Sequence, residues 1–235
     1  MSDILRFFIY WLNARVAAME ARNQSKGTSM KTLLQIRSSI FSDNGQSSQL
    51  ANRFVENWKK ANPGANVIVR DLALEPVPHL DGARFGAFLA KPEARTAEQA
   101  EVIGYSDALI QELRDADVVV LGLPMYNFGI PSTLKAYFDH IARAGVTFKY
   151  TEKGPVGLVT GKQVYVFAAR GGLYAGTPRD TQTGYVRDFL GFLGLDNIEF
   201  VYAEGLAISA ESKERSLATA QARVDRLAEP ALLAA

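Results

Sequence analysis

Three stretches of this chain hold residues whose types and spacing could do chemistry. Pro124-Met-Tyr-Asn-Phe128 places Met125, Tyr126 and Phe128 on a connection between an apolar run and a helical pattern, where an ordinary turn would be polar. Arg170-Gly-Gly172 follows a second apolar run, Gln163–Ala169. Arg37-Ser-Ser-Ile-Phe-Ser-Asp-Asn-Gly-Gln-Ser-Ser48 is a hydroxyl-rich link leading into an amphipathic helix. The first suits packing against a flat aromatic ligand, with Asn127 and backbone amides reading its polar edges. The second lets backbone approach such a ring closely, because glycine has no Cβ and tolerates positive φ. The third offers hydroxyls and N–H groups at the positive end of a helix dipole, which is a phosphate site. Each has a plainer use when taken alone: a loop folded on its own domain, a turn, a serine N-cap.

Other chemistries find little support. There is no cysteine, hence no disulfide framework, thiolate nucleophile or Cys-type zinc site. His79 and His140 are the only histidines, too few for a His-rich metal centre, and neither lies in a candidate loop. His140 reads as the polar side of its helix, a solvated or interface residue. No Gly-x-Ser-x-Gly motif is present, and no pair of carboxylates is brought together by spacing. The serine loop lacks the Lys-Ser/Thr signature of a P-loop, and Gly-x-Gly-x-x-Gly is missing, which disfavours an NTPase and the usual dinucleotide fold. A net charge of +1 gives no electrostatic case for nucleic acid or an anionic membrane. Redox chemistry borrowed from a bound cofactor needs none of these groups.

The elements that must position the three stretches follow from periodicity. Val118–Leu121 is an unbroken apolar run, expected as a strand buried on both faces and broken by Gly122 and Pro124. Pro131 can start the next helix, with Leu134, Tyr137, Phe138 and Ile141 on one face and Lys135, Asp139 and Arg143 on the other. Further strands are expected at Thr32–Ile36, Asn66–Asp71, Gln163–Ala169 and Ile198–Tyr202. Helical faces appear at Leu50–Trp58, near Gly82–Leu89, after a Thr96/Gln99 capping box, at Tyr185–Leu193 and around Leu217–Leu227. A β-hairpin is expected between Ala144 and Lys162, inserted before the fourth core strand. Five strands, each followed by a helical stretch, predict an α/β doubly wound parallel sheet of the flavodoxin-like type, order 2-1-3-4-5. Its switch point lies between the first and third strands, which own the serine loop and the Met-Tyr-Asn-Phe loop.

Those residues carry a resemblance. Pro124-Met-Tyr-Asn-Phe128 with Pro131-Ser-Thr-Leu-Lys135 resembles the flavin loop of the FMN-dependent NADH:azoreductases, which are also quinone reductases. Ala144–Pro155, Gly157–Gly161, Arg170–Gly172, Phe189–Gly194 and Ala203–Gly205 are similar to the same family, and the likeness covers about residues 30–227. The resemblance implies one FMN per subunit, held at the phosphate and ribityl chain by Ser39, Gly45, Gln46 and Ser47. It implies ring contacts from Met125, Tyr126, Asn127, Phe128, Ala169, Arg170, Gly171 and Gly172. Serine is common where Gly45 stands, and Ser or Thr where Ala169 stands, so each position lacks a hydroxyl of the family. Arg170 is left either adding positive potential or facing water. No catalytic side chain and no metal are implied: NADH or NADPH reduces the flavin, then a quinone or azo compound is reduced in a ping-pong cycle. A flavodoxin-type carrier docking a redox partner is the alternative, disfavoured by the near-neutral charge. Gly171→Val is expected to abolish flavin binding and Gly194→Val is not, since Gly194 ends a helix away from any ligand.

Residues 1–29 differ in composition, and the resemblance starts only at Met30. Ile4–Leu12 is apolar but far shorter than the roughly 20 residues of a membrane span. The expected division is 1–29, an extension dispensable for folding, and 30–235, one flavodoxin-like domain. The family implies a homodimer with active sites at its interface, and the hairpin is the expected meeting element. A cytoplasmic setting without membrane or nucleic-acid partner fits the composition.

Overall fold

Strand β3 (Val118–Pro124) is buried along nearly its whole length, as a central parallel strand must be when helices cover both faces. It lies in a five-stranded parallel sheet with β1 (Thr32–Arg37), β2 (Asn66–Asp71), β6 (Gln163–Ala169) and β7 (Asn197–Ala203), in the order β2-β1-β3-β6-β7. With the hairpin strands set aside, this is the expected order 2-1-3-4-5. The computed structural model describes residues 30–228; the expectation for residues 1–29 lies outside them.

Period-two alternation divides the core. Leu33, Val120, Phe167 and Val201 face α1 (Gln46–Ala61) and α6 (Ala210–Ala228), which contribute Phe54 and Val224. Leu34, Val119, Leu121 and Val166 face the opposite way, packed with Leu109, Leu134 and Leu190. These last three belong to α3 (Ala97–Asp115), α4 (Ser132–Ile141) and α5 (Thr183–Leu193). A short helix, α2 (Gly82–Leu89), is capped by the Asp81 side chain, and Thr96 and Gln99 form the expected capping box of α3.

The hairpin, β4 (Phe148–Thr151) and β5 (Gly154–Gly157), pairs antiparallel and does not join the main sheet. It is fastened to the end of α5: a Cβ on Gly157 would lie 2.0 Å from the Gly194 amide nitrogen, and Val159 N–H donates to the Leu193 carbonyl at 2.8 Å. Gly194 itself sits at φ 97° as the helix cap. It is therefore a packed, left-handed position rather than an unconstrained helix end.

Three further expectations need correction. The strand runs through Gly122 to Pro124. Pairing of β1 with β3 stops at Arg37 and Gly122, so the missing N–H of Pro124 falls beyond the β1 edge. His140 is fully buried rather than solvated, because α3 covers that side of α4: Ser106 Oγ donates to the His140 carbonyl at 2.6 Å. Arg143 lies past the end of α4, buried, and bonds Ser106 and Asp107. Of the three residues expected on that face, Lys135 and Asp139 form an i, i+4 ion pair.

Candidate functional site

The loops that leave β1, β3 and β6 lie side by side, since these strands are sheet neighbours and all point the same way. In the first loop Ser39 is buried, and its Oγ accepts from Phe41 N–H at 3.2 Å. Ser42 takes φ 51° and its hydroxyl donates to Asp71 at the end of β2. Gly45 then caps α1 without any side-chain bond. Among the described residues, no protein acceptor takes the N–H groups of Gln46, Ser47 and Ser48, and the Ser47 and Ser48 hydroxyls are buried without partners. A helix start with free donors and a positive dipole end is suited to an anion. A Cβ on Gly45 would lie 2.2 Å from Ser39 Oγ. The hydroxyl absent at position 45 is thus matched by the space that Ser39 occupies.

The second loop is a two-residue turn. Tyr126 and Gly129 exchange N–H···O bonds of 3.1 and 2.9 Å, around Asn127 at φ 49° and Phe128 at φ 63°. Positive φ at both central residues is the type I′ geometry, uncommon for a bulky residue such as Phe128. Phe128 stays 52 % exposed and meets Tyr174 edge-on with ring centroids 5.7 Å apart. Met125 N–H donates to the Ala169 carbonyl at 3.1 Å, tying this loop to the end of β6. The Tyr126 hydroxyl lies 3.3 Å from both Ser39 Oγ and the Ile40 amide, tying it to the first loop. A cleft of about 260 Å³ opens here, lined by Ile40, Tyr126, Asn127, Ile130 and Pro131 among others. A larger cavity of about 490 Å³ lies elsewhere, between α2 and the start of α3.

In the third loop the carbonyls of Arg170, Gly171 and Gly172 accept from Leu206, Ala207 and Gly205. The Gly171 and Gly172 N–H groups have no protein acceptor among the described residues. The Tyr174 ring lies over Gly172, 2.7 Å from where a Cβ would be. Arg170 neither faces water nor offers unbalanced charge. Its side chain is fully buried, pairs with Asp180 at 3.0 Å and Glu204 at 3.1 Å, and stacks over Tyr202 at 5.0 Å. Burial opposes ionisation of Asp180, but the Thr183 N–H and hydroxyl together with Arg170 hold its carboxyl below the usual range.

The structure thus puts Ser39 in contact with Tyr126 and Met125 in contact with Ala169, with Gly45, Gln46, Ser47, Asn127, Phe128, Gly171 and Gly172 on the flanking backbone. Sequence reasoning missed Thr181 and Gln182. The Thr181 hydroxyl bonds the Phe128 carbonyl; Gln182, fully buried, bonds the Pro124 and Gly129 carbonyls at 2.9 Å each. The signal available was Asp180-Thr-Gln-Thr183, a polar run before a helix, which by itself indicates only a cap.

The family described as having a flavodoxin-like fold matches residues 30–228. An FMN-dependent NADH:quinone oxidoreductase of Cellvibrio japonicus is 60 % identical over 197 residues, covering 84 % of this chain and 98 % of the relative. One of the same name from Alcanivorax borkumensis is 54 % identical over 192 residues, covering 82 % and 97 %. Among solved structures, an azoreductase of Bacillus anthracis superposes with a TM-score of 0.78 at 30 % identity, covering 85 % of this chain and 99 % of that one. An FMN-dependent NADH-azoreductase of the same organism, solved in complex with FMN, gives 0.76 at 28 % identity, covering 85 % and 100 %. With its sheet order, its three converging loops and these likenesses, the chain belongs to the flavodoxin-like family of FMN-dependent NADH:quinone oxidoreductases and azoreductases.

Proposed function

We propose that this protein is an FMN-dependent NADH oxidoreductase that reduces quinones and reductively cleaves aromatic azo compounds to amines. The observation that carries the reading is the junction of Tyr126 with Ser39, which joins an uncapped helix start to a ring-binding turn in one crevice. The residues present fit FMN: the free amides of Gln46, Ser47 and Ser48 and the orphaned Ser47 hydroxyl suit its phosphate. Gly171 and Gly172 offer N–H groups to a flat polar edge and favour negative charge there. Met125, Tyr126 and Phe128 provide apolar surface, and Asn127 a polar contact. When bound, FMN supplies two-electron transfer from NADH to the acceptor in alternating half-reactions, a ping-pong scheme. The side chains bind and orient, and protons come from solvent, so no acid–base residue is required. An azo bond needs two such cycles to give two amines.

The assembly proposed is a homodimer, with the hairpin as meeting element. Tyr150, Val156 and Leu158 leave large apolar groups exposed there. No helix among the described residues is long and apolar enough to cross a membrane. The electron-carrier alternative is disfavoured by the near-neutral charge.

The test is initial-rate kinetics of the FMN-loaded protein with NADH and NADPH, against a quinone and an azo dye. Parallel double-reciprocal lines are expected; intersecting lines rule out the alternating scheme. Flavin released by denaturation should be FMN, and FAD as the sole species would overturn the cofactor assignment. Light scattering reads the dimer, and a monomer would remove the assembly.

A further inference from the structure

Asn127 and Phe128 both stand at positive φ, and a turn of this kind persists only where its surroundings over-determine it. The bonds across the turn itself do not fix its placement relative to the sheet. Met125 N–H and the Tyr126 hydroxyl tie its front to β6 and to the first loop, and a third tie comes from behind. Gln182 Nε2 divides its two protons between the Pro124 carbonyl, where β3 ends, and the Gly129 carbonyl, where the turn closes, each at 2.9 Å. One amide group therefore bridges the stem and the far side of the turn. Its orientation is also set, because Gln182 Oε1 accepts from Arg170 Nε at 3.2 Å. Arg170 in turn is held by Asp180 and Glu204, and Glu204 Oε1 accepts the Tyr174 and Ala175 amides of the third loop. The adjacent Thr181 hydroxyl bonds the Phe128 carbonyl. Gln182 is fully buried, and its side-chain hydrogen bonds among the described residues go to Arg170, Pro124 and Gly129 rather than to the free amides.

We propose that Gln182 is a positioning residue that presets the Tyr126–Gly129 turn for the flavin ring, linking it through Arg170 to the Gly171–Gly172 loop. It acts through Pro124 and Gly129, with no contact to the ligand. The inference rests on the FMN reading given above. A preset turn binds the ring without an ordering cost, whereas a turn released from its tie must be ordered by the ligand.

The test compares the apoprotein with Gln182→Met, Gln182→Glu and Ser106→Ala. Ser106 is a buried tie whose Oγ bonds the His140 carbonyl and Arg143, neither of them in the three loops, so its variant serves as the control for loss of structure. Each protein is melted without ligand and titrated with FMN and with riboflavin. Gln182→Met and Gln182→Glu should weaken both flavins by tenfold or more and by the same factor, since the phosphate end is untouched. Ser106→Ala should melt lower yet bind FMN within twofold of wild type. Gln182 variants that melt lower but bind both flavins within twofold would make Gln182 a structural tie only and overturn the proposal. Wild-type protein that takes up neither flavin would overturn the function reading, and this inference with it. Hydrogen exchange on the wild type needs no variant to fold. The Tyr126 and Gly129 amides should exchange slowly without FMN, and fast exchange slowed only by FMN would show that the ligand sets the turn.

Discussion

Ser39 Oγ lies 3.3 Å from the Tyr126 hydroxyl, and this contact spans the switch point of the sheet. β1 and β3 are neighbours in space, yet their helices cover opposite faces, so the crevice between their loops has no backbone ladder to close it. The tyrosine supplies a cross-link there, reaching the Ile40 amide as well. It sets the distance between the helix start suited to a phosphate and the turn suited to a ring.

Tyr126→Phe removes that cross-link and little else. The hydroxyl contacts are long and partly exposed, so the apoprotein should lose no more than about 1 kcal/mol. FMN affinity should fall several-fold more than riboflavin affinity, because only FMN spans both loops. Parallel losses for the two ligands in fluorescence titrations would contradict this coupling.

Gly45→Ser tests how the chain manages without a hydroxyl at that position. A Cβ there would lie 2.2 Å from Ser39 Oγ, so Ser39 must turn aside and give up Tyr126. Gly45 has φ −68°, so the backbone itself accepts a serine. The single variant should bind FMN more weakly, and adding Ser39→Ala should restore part of the loss. Without such recovery in the double-mutant cycle, the two positions are not coupled.

The strands and helices were legible because burial leaves a mark in residue type: Val118–Leu121 and Val164–Ala169 are apolar on both faces, and Leu50, Phe54 and Trp58 repeat at helical spacing. The three candidate loops were legible for a related reason, since aromatic, glycine and serine residues stand out at strand ends. What ties the loops together was not. Gln182 and Pro124 are 58 positions apart, and nothing local distinguishes a buried glutamine from an exposed one. Arg170 shows the same difficulty, because its charge invites a reading toward solvent or ligand while Asp180 and Glu204 draw it inward. His140 and Arg143 were misplaced because periodicity within α4 does not reveal that α3 covers its polar side.

Gly171, Gly184 and Gly194 separate ligand effects from backbone strain. A Cβ on Gly184, inside α5, meets nothing within 4 Å among the described residues, so Gly184→Ala should stabilise by roughly 0.5–1 kcal/mol. Gly194→Val must carry a side chain at φ 97° against the hairpin backbone and should cost about 1–3 kcal/mol or more, with FMN affinity retained in whatever folds. Among the described residues Gly171→Val has only the Ala207 methyl as a close neighbour, 3.3 Å from the first added atom, so the chain should fold but lose FMN. Equal FMN affinity for the Gly171 and Gly194 variants would take the Arg-Gly-Gly loop out of the site.

Asp180→Asn breaks one of the two ion pairs that hold buried Arg170. Removing one partner of a buried pair typically costs about 3–5 kcal/mol, and Glu204 as second carboxylate should keep the loss at the low end. Urea unfolding checks this; a loss below about 1 kcal/mol would mean that Glu204 alone satisfies the guanidinium.

His140 should make the fold sensitive to mild acid. Its Nδ1 donates to the Ala136 carbonyl at 3.0 Å, and its buried Nε2 has no partner among the described residues. The rings of Phe88 and Tyr105 stand edge-on to it, at centroid distances of 6.0 and 5.9 Å. Burial pushes its pKa down, and Arg84 adds to this, outweighing the Ala136 carbonyl, Asp139 and Asp81. The folded protein therefore binds fewer protons than the unfolded chain once the pH drops below about 6.5. Its contribution is complete above that pH and is lost on acidification, at up to about 1.4 kcal/mol per pH unit, until the folded pKa is reached. His140→Phe keeps an aromatic ring among Phe88 and Tyr105 and cannot titrate. Urea unfolding from pH 8 to pH 5 should give a steeper fall for the wild type than for the variant. Curves that stay parallel across this range would show that the imidazole is reached by water and does not resist protonation.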